Sequence, residues 1–299
     1  MKRLFIILLV LSGCYYKEYE IVEVTAPNWT SDGKIVFIKD VNHVRDRYTV
    51  AGMTGNVEGG WESLILCEIN SDGTGYREIC ELWRAEGYAF WIGINSLSSA
   101  GDWIVFDLRV EDDSVHRICV IRRDGTGFYN TGVIGLHPDC SPDASKIVYE
   151  KPGEGIWVMD RDGGNNHCIV PDPDAKYPAW SPDGRRIAYI IFSSASLTKD
   201  SLCITDTLGQ VLKTFWLRIN PPDWGDSNTV CASNGYYAII IHINSEIIDS
   251  LENITMGDAP LKWSLDGSKF IAYDAEGWYV INIEGTNKWY LHEKIGGER

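Results

Sequence analysis

The sequence is short of basic charge, with 27 Lys+Arg against 42 Asp+Glu over 299 residues and a formal net charge of −15. A folded surface of that sign repels phosphate backbones, so nucleic acid is excluded as a partner. Local catalytic and metal motifs are lacking too. The eight cysteines include no Cys-x-x-Cys pair and the six histidines no His-Glu-x-x-His spacing, which argues against zinc. No Gly-x-Ser-x-Gly elbow marks a serine hydrolase. Asp160-Arg161-Asp162-Gly163 opens like a calcium loop, but Asn165, Asn166 and His167 lead back toward a strand instead of supplying further oxygen ligands and a closing glutamate. No metal or cofactor is implied. A Pro/Ser-rich linker or charge block is also missing, so the chain reads as one domain in spite of its length.

The N-terminus does have a pattern. Lys2 and Arg3 precede an unbroken apolar run from Leu4 to Leu11, too short for the roughly 20 residues of a transmembrane helix and suited to an export signal. Leu11-Ser12-Gly13-Cys14 follows and resembles the lipobox of bacterial lipoproteins, in which small residues let a peptidase grip the backbone and the cysteine carries the lipid. That resemblance implies a signal over 1–13, acylation at Cys14 and a short tether over 14–19. Losing residues 1–13 leaves 25 Lys+Arg against 42 Asp+Glu, so membrane contact is expected through the lipid alone. Tyr15, where many inner-membrane lipoproteins carry Asp, implies the periplasmic side of the outer membrane if the host is diderm.

The rest is a repeat. Trp180-Ser181-Pro182-Asp183-Gly184 with the strand Ile187-Ala188-Tyr189 returns as Cys140-Ser141-Pro142-Asp143 with Ile147-Val148-Tyr149. It returns again as Trp263-Ser264-Leu265-Asp266-Gly267 with Phe270 to Tyr273, and as Trp29-Thr30-Ser31-Asp32-Gly33 with Ile35-Val36-Phe37. Degraded copies stand at Gly101-Asp102 and Trp224-Gly225-Asp226. The aspartates step by 41 residues from 102 to 143 and by 40 from 143 to 183, while 32 to 102 is 70, which predicts an irregular insertion over Asp40–Ser63. Each unit also has an apolar strand ending in a tight turn, such as Asp72-Gly73, Asp124-Gly125 or Asp162-Gly163, where glycine accepts the positive φ that a hairpin demands. The unit is thus a four-stranded antiparallel meander of about 40 residues. Such a sheet cannot bury both faces alone, so copies must stack and close into a ring. The fold class is all-β, a single propeller of six four-stranded blades over 20–294 with a tail over 295–299.

The Trp-Ser-Pro-Asp-Gly turn, the Ile-Ala-Tyr strand and the Ile156-to-Gly163 hairpin resemble the repeat of TolB-like propellers, which commonly have six blades. By that analogy the N-terminal strand, Glu18–Thr25, completes the last blade; Lys288–Glu293 could fill the same place. Cys67, Cys119 and Cys203 each stand five residues before their turn, so they occupy equivalent positions on separate blades, too far apart for a disulfide. Trp29, Trp180, Trp224 and Trp263 share one repeat position and are expected to pack between blades.

Because the two kinds of short turn join alternate strand pairs, both must lie on one rim, and the long loops emerge on the other. Binding residues are disproportionately found on such loops. The candidates are His43, Arg45, Arg47, Tyr48 and Trp61 in the insertion and Trp83, Arg84, Tyr88 and Trp91 in the first linker, types enriched at interfaces. Three functions compete: a non-catalytic, membrane-tethered binding or scaffold module for an envelope protein; a carbohydrate lyase or hydrolase in the central channel; and a small-ligand sensor. Three or more titratable groups from different blades within hydrogen-bonding reach in the channel would favour the enzyme. The lipobox reading predicts that Cys14→Ser abolishes acylation and releases the protein from membranes; acyl labelling equal to wild type would overturn it.

Overall fold

The computed structural model describes residues 3–7, 14–49, 56–86, 93–109, 115–192, 200–217, 219–255 and 260–295. They form six antiparallel sheets in which strand order follows sequence order. The inner strands of blades 1 to 6 are Cys14–Trp29, Gly93–Ala100, Leu136–Cys140, Ala175–Trp180, Asp223–Asp226 and Lys262–Trp263. The second strands carry the repeat's apolar triplet, and Ile147, Val148, Ile187 and Ala188 are all fully buried. A strand contacts a different neighbour on each face. Ile147 and Tyr149 join the cluster between blades 2 and 3, and Val148 joins the one between blades 3 and 4. That is why these strands read as continuous apolar runs rather than as alternating ones.

The repeat's Ser and Asp build its first turn. Ser181 Oγ donates to Asp183 Oδ1 at 2.6 Å and accepts the Arg186 N–H at 2.9 Å. Ser141 with Asp143, Ser264 with Asp266, and Thr30 with Asp32 repeat the arrangement. In the two degraded copies the hairpins are tighter: Ala100 pairs directly with Trp103, and Asp226 with Thr229, leaving no room for the full motif. Both turn types lie on one rim, as expected, since the Arg123, Arg161 and Ile283 N–H groups bond to Asp102, Ser145 and Ser268 of the first turns. The equivalence of the cysteines holds as well. Cys67, Cys119 and Cys203 pair across strands with Phe37, Phe106 and Tyr189, and all seven described cysteines are free.

Ring closure differs from the family analogy. The N-terminal strand is the inner strand of blade 1, and Trp289–Tyr290 forms the outer strand of blade 6, so every blade is a contiguous stretch of chain and none is shared. Residues 291–294 turn into a short helix instead of continuing as strand. Closure rests on an apolar cluster that unites Trp29, Ile35 and Ile69 of blade 1 with Ile271 and Val280 of blade 6 and with Leu291 and Ile295. Trp29, Trp180 and Trp224 are buried between blades, and Trp263 is partly so.

The insertion is not irregular. The second and third strands of blade 1 run over Lys34–Thr49 and Asn56–Asn70 in near-continuous register, and the inner strand pairs alongside from Cys14. The expected linker from Leu82 is partly strand too, because the outer strand spans Arg77–Glu86. Blade 1 therefore carries a β-ribbon that projects from the rim opposite the turns. Residues 14–19 are paired with 44–49, and Arg3–Ile7 lies antiparallel against Tyr16–Glu20. Residues 1, 2 and 8–13 of the expected signal and 296–299 of the expected tail lie outside the described residues. Replacing Leu291 by Ala should remove about 2–5 kcal/mol of stability by opening a cavity in the closing cluster; an unchanged denaturation midpoint would show that the ring closes without the C-terminal turn.

Candidate functional site

Two places concentrate polar side chains, the channel and the ribbon. In the channel, register aligns Asn28, Ser98, Asp139, Ala179, Asp223 and Lys262, the residues just before the repeat's Trp position in the six blades. They form one ring around the axis, and their bonds pass from blade to blade. Asn28 Nδ2 donates to the Leu97 carbonyl at 2.7 Å. Ser98 Oγ accepts the Cys140 N–H at 3.2 Å and donates to Asp139 Oδ1 at 2.5 Å. Asp139 Oδ2 accepts the Trp180 N–H at 2.6 Å, and Asp223 Oδ2 accepts the Trp263 N–H at 2.8 Å. Ala179 has no polar side chain, and there Trp224 Nε1 donates to the Ala179 carbonyl at 3.0 Å. Trp29 Nε1, donating to the Lys262 carbonyl at 3.2 Å, closes the last interface. All six junctions are bridged.

The charges of the ring are perturbed by this setting. Burial lifts the Asp139 carboxyl to about 6, against the lowering effects of Lys262, Ser98 and the Trp180 N–H. Burial also raises Asp223, while for Lys262 the desolvation cost is outweighed by Asp223 and Asp139, so its pKa rises. Lys262 Nζ stands 3.4 Å from Asp223 Oδ1, and the two side chains keep about a fifth of their surface exposed, 21% and 20%. Of the three titratable groups, only that pair lies within hydrogen-bonding reach; Asp139 is committed to Ser98 and Trp180 instead.

On the loop side of the ring lies a hollow of about 510 Å³, walled by His137, Tyr177, Phe192 and several prolines. The inner strands bulge here, and His137 and Tyr177 take positive φ, 50° and 54°, directly before Pro138 and Pro178. Such backbone costs on the order of 1–3 kcal/mol per residue and turns both rings toward one another, 4.2 Å between centroids.

On the ribbon, one face gathers four of the residues expected to bind. His43 stacks on Trp61 with centroids 5.3 Å apart and planes 3° from parallel, and the Arg84 guanidinium lies 4.2 Å from the Trp61 ring centroid. Arg45 Nε is 3.4 Å from Glu18 Oε1. Cross-strand register makes this ladder, because His43 pairs with Trp61 and Glu20, and Arg45 with Glu18. Trp83, next to Arg84 in an extended strand, projects to the opposite face and is 38% exposed. Arg47 and Tyr48 continue the second strand further along the ribbon. Tyr88 and Trp91 lie outside the described residues. Sequence reasoning did not find the channel ring, although its signal was present as the position before each Trp.

Comparison with known proteins agrees with this architecture. No family model matches the chain. The Tol-Pal system protein TolB of Mannheimia succiniciproducens is 26% identical over 153 residues, covering 49% of this chain, and the chain spans about a third (32%) of that relative's length. TolB from Acinetobacter baumannii superposes with a TM-score of 0.58 at 12% identity, over 90% of this chain and 78% of that one. A putative TolB from Agrobacterium tumefaciens gives 0.54 at 17% identity, over 83% and 87%. An oligogalacturonate lyase from Vibrio parahaemolyticus gives 0.53 at 10% identity, over 93% and 96%, a likeness of fold alone. The chain is a six-bladed β-propeller, similar in fold to TolB.

The face of the ribbon turned to blade 2 carries carboxyls with raised pKa. Burial and then Glu23 lift Asp40 to about 6, and burial and then Asp40 lift Glu62 to about 7. In the unfolded chain these groups ionise near pH 4. Between pH 4 and 7 the folded state therefore binds more protons, and their contribution, complete below pH 4, is lost as pH rises through 6 to 7. The thermal midpoint should fall over that interval, and Asp40→Asn with Glu62→Gln should flatten the fall; a double variant with the wild-type slope would refute this origin.

Proposed function

We propose that this chain is an exported, non-catalytic binding propeller of the bacterial cell envelope, held to a membrane by a lipid on Cys14 and presenting the rim opposite its turns to a protein partner. The observation that carries this reading is the ribbon face, where the backbone register of four strands assembles Glu18, His43, Arg45, Trp61 and Arg84 into one stacked surface on the loop-bearing rim, with Arg45 and Arg84 exposed and the others half-buried. Aromatic and arginine side chains on a rigid sheet fit a protein interface, since they supply large contact area with little entropy left to lose. The relative named for the Tol-Pal system supports an envelope role. Among the described residues no helix is long and apolar enough to cross a membrane, so a lipid at Cys14 would supply the attachment.

The second reading, a carbohydrate-acting enzyme in the channel, draws on Asp139, Asp223 and Lys262. It is less well supported, because each carboxylate is held by an N–H of the next blade, and of the three groups Lys262 and Asp223 alone are within hydrogen-bonding reach of each other. In-cell crosslinking with mass spectrometry tests the choice. Trp61→Ala combined with Arg84→Ala should leave the ring folded and cut recovery of the partner captured by wild type several-fold, whereas undiminished capture by the folded double variant would sink the placement.

A further inference from the structure

Register, not sequence distance, decides where the mature N-terminus stands. Cys14 pairs with Thr49, Tyr15 with Tyr48 and Tyr16 with Arg47, so the acylation site of the proposed reading lies at the free end of the ribbon. The second strand of blade 1 has 16 residues where that of blade 3 has six. At about 3.4 Å per residue, that excess carries Cys14 roughly 30 Å beyond the level of the other blades.

Composition changes along this height. In the sequence residues 48–57 carry no charge, and in the register Cys14 and Tyr15 stand opposite Thr49 and Tyr48, while Tyr16 stands opposite Arg47. Tyrosine, with an apolar ring and a polar tip, is the residue type that favours the headgroup layer of a bilayer. Arg47 comes next and then Lys17, paired with Asp46, at the level where lipid phosphates would lie. Most of the chain's carboxylates belong to the six blades, far below this level. With a Debye length of about 8 Å at physiological salt, roughly 30 Å is nearly four screening lengths, so the charge of the blades is screened from an anionic membrane while the ribbon tip is not repelled.

We propose that the ribbon tip, Cys14–Tyr16 with Tyr48 and Thr49, rests in the headgroup layer of the membrane that holds the acyl chain. The ribbon is then a spacer that turns the loop-bearing rim and the channel hollow toward that membrane, and the Asp-Gly turns away from it. A partner on this rim would be resident in, or lie close to, the same bilayer. The proposal rests on acylation at Cys14, and its test separates the two.

A photo-crosslinking amino acid is placed in the full-length protein at position 48 or at position 208, where Leu208 is 83% exposed on the turn rim. Cells are grown with radiolabelled phosphate, and Cys14 acylation is followed in parallel with a labelled fatty acid. Phospholipid adducts at 48 with none above background at 208 are expected. Acylated protein with no adduct at 48, or with equal adducts at both positions, overturns the placement and leaves the anchor standing. Absence of the acyl label overturns the anchor, and the placement falls with it.

Discussion

The structure depends on the circle of hydrogen bonds that joins one inner strand to the next. Since each blade is a contiguous stretch of chain, no strand is shared across the closing junction, and the ring must be held by contacts between blades. Six apolar clusters, one at each junction, supply most of that attraction, but apolar burial is non-directional and would tolerate blades that slide or splay. The bonds from Asn28, Ser98, Asp139, Trp224, Asp223 and Trp29 fix the relative height of neighbours. Each contributes on the order of 0.5–1.5 kcal/mol net, more where a carboxylate accepts, and each would cost more if a partner were left buried and unpaired.

This constraint shapes how the channel can be read. A carboxylate with a raised pKa in a cleft is a common mark of a functional group, yet Asp139 takes its shift from the burial that a structural role also requires. The turn rim is tied in a similar way. Arg123, from the second blade, reaches Asp32 and Glu68 of the first, and Arg161 of the third blade lies 4.1 Å from the Trp103 ring centroid of the second. Both the axis and the turn rim are thus occupied by contacts between blades, which leaves the loop rim and the ribbon as the surfaces with side chains in excess of what closure needs.

The ribbon has its own logic. It extends strands that already belong to a packed blade, so its base is anchored by Leu64, Leu66 and Ile38 in the first inter-blade cluster. Above that base stacking on one face adds to the packing: His43 on Trp61, and Arg84 over the same ring. A cation–π contact of this kind is worth about 0.5–1 kcal/mol at an exposed site, enough to hold side chains in one arrangement without burying them.

The repeat, the number of blades, the two turn types on a single rim and the equivalence of Cys67, Cys119 and Cys203 are legible in the residues alone, because these follow from local turn chemistry and a fixed period. Ser181 and Asp183 hold their own turn, and no distant residue is needed to recognise it. How the ring closes is a matter of packing, for the choice lies between two chain ends that both read as strand, and Leu291 and Ile295 settle it by packing against Trp29. Cross-strand pairing likewise makes 40–49 and 56–63 a ribbon. Its polar residues look like loop in one dimension, since a ribbon whose buried positions include Asp46, Glu62 and Ser63 lacks the apolar alternation that marks a strand. The channel ring was likewise hidden, although Asn28, Ser98, Asp139, Asp223 and Lys262 occupy one repeat position. Side chains as different as serine and lysine share no chemistry there until the circle brings each against the backbone of the next blade.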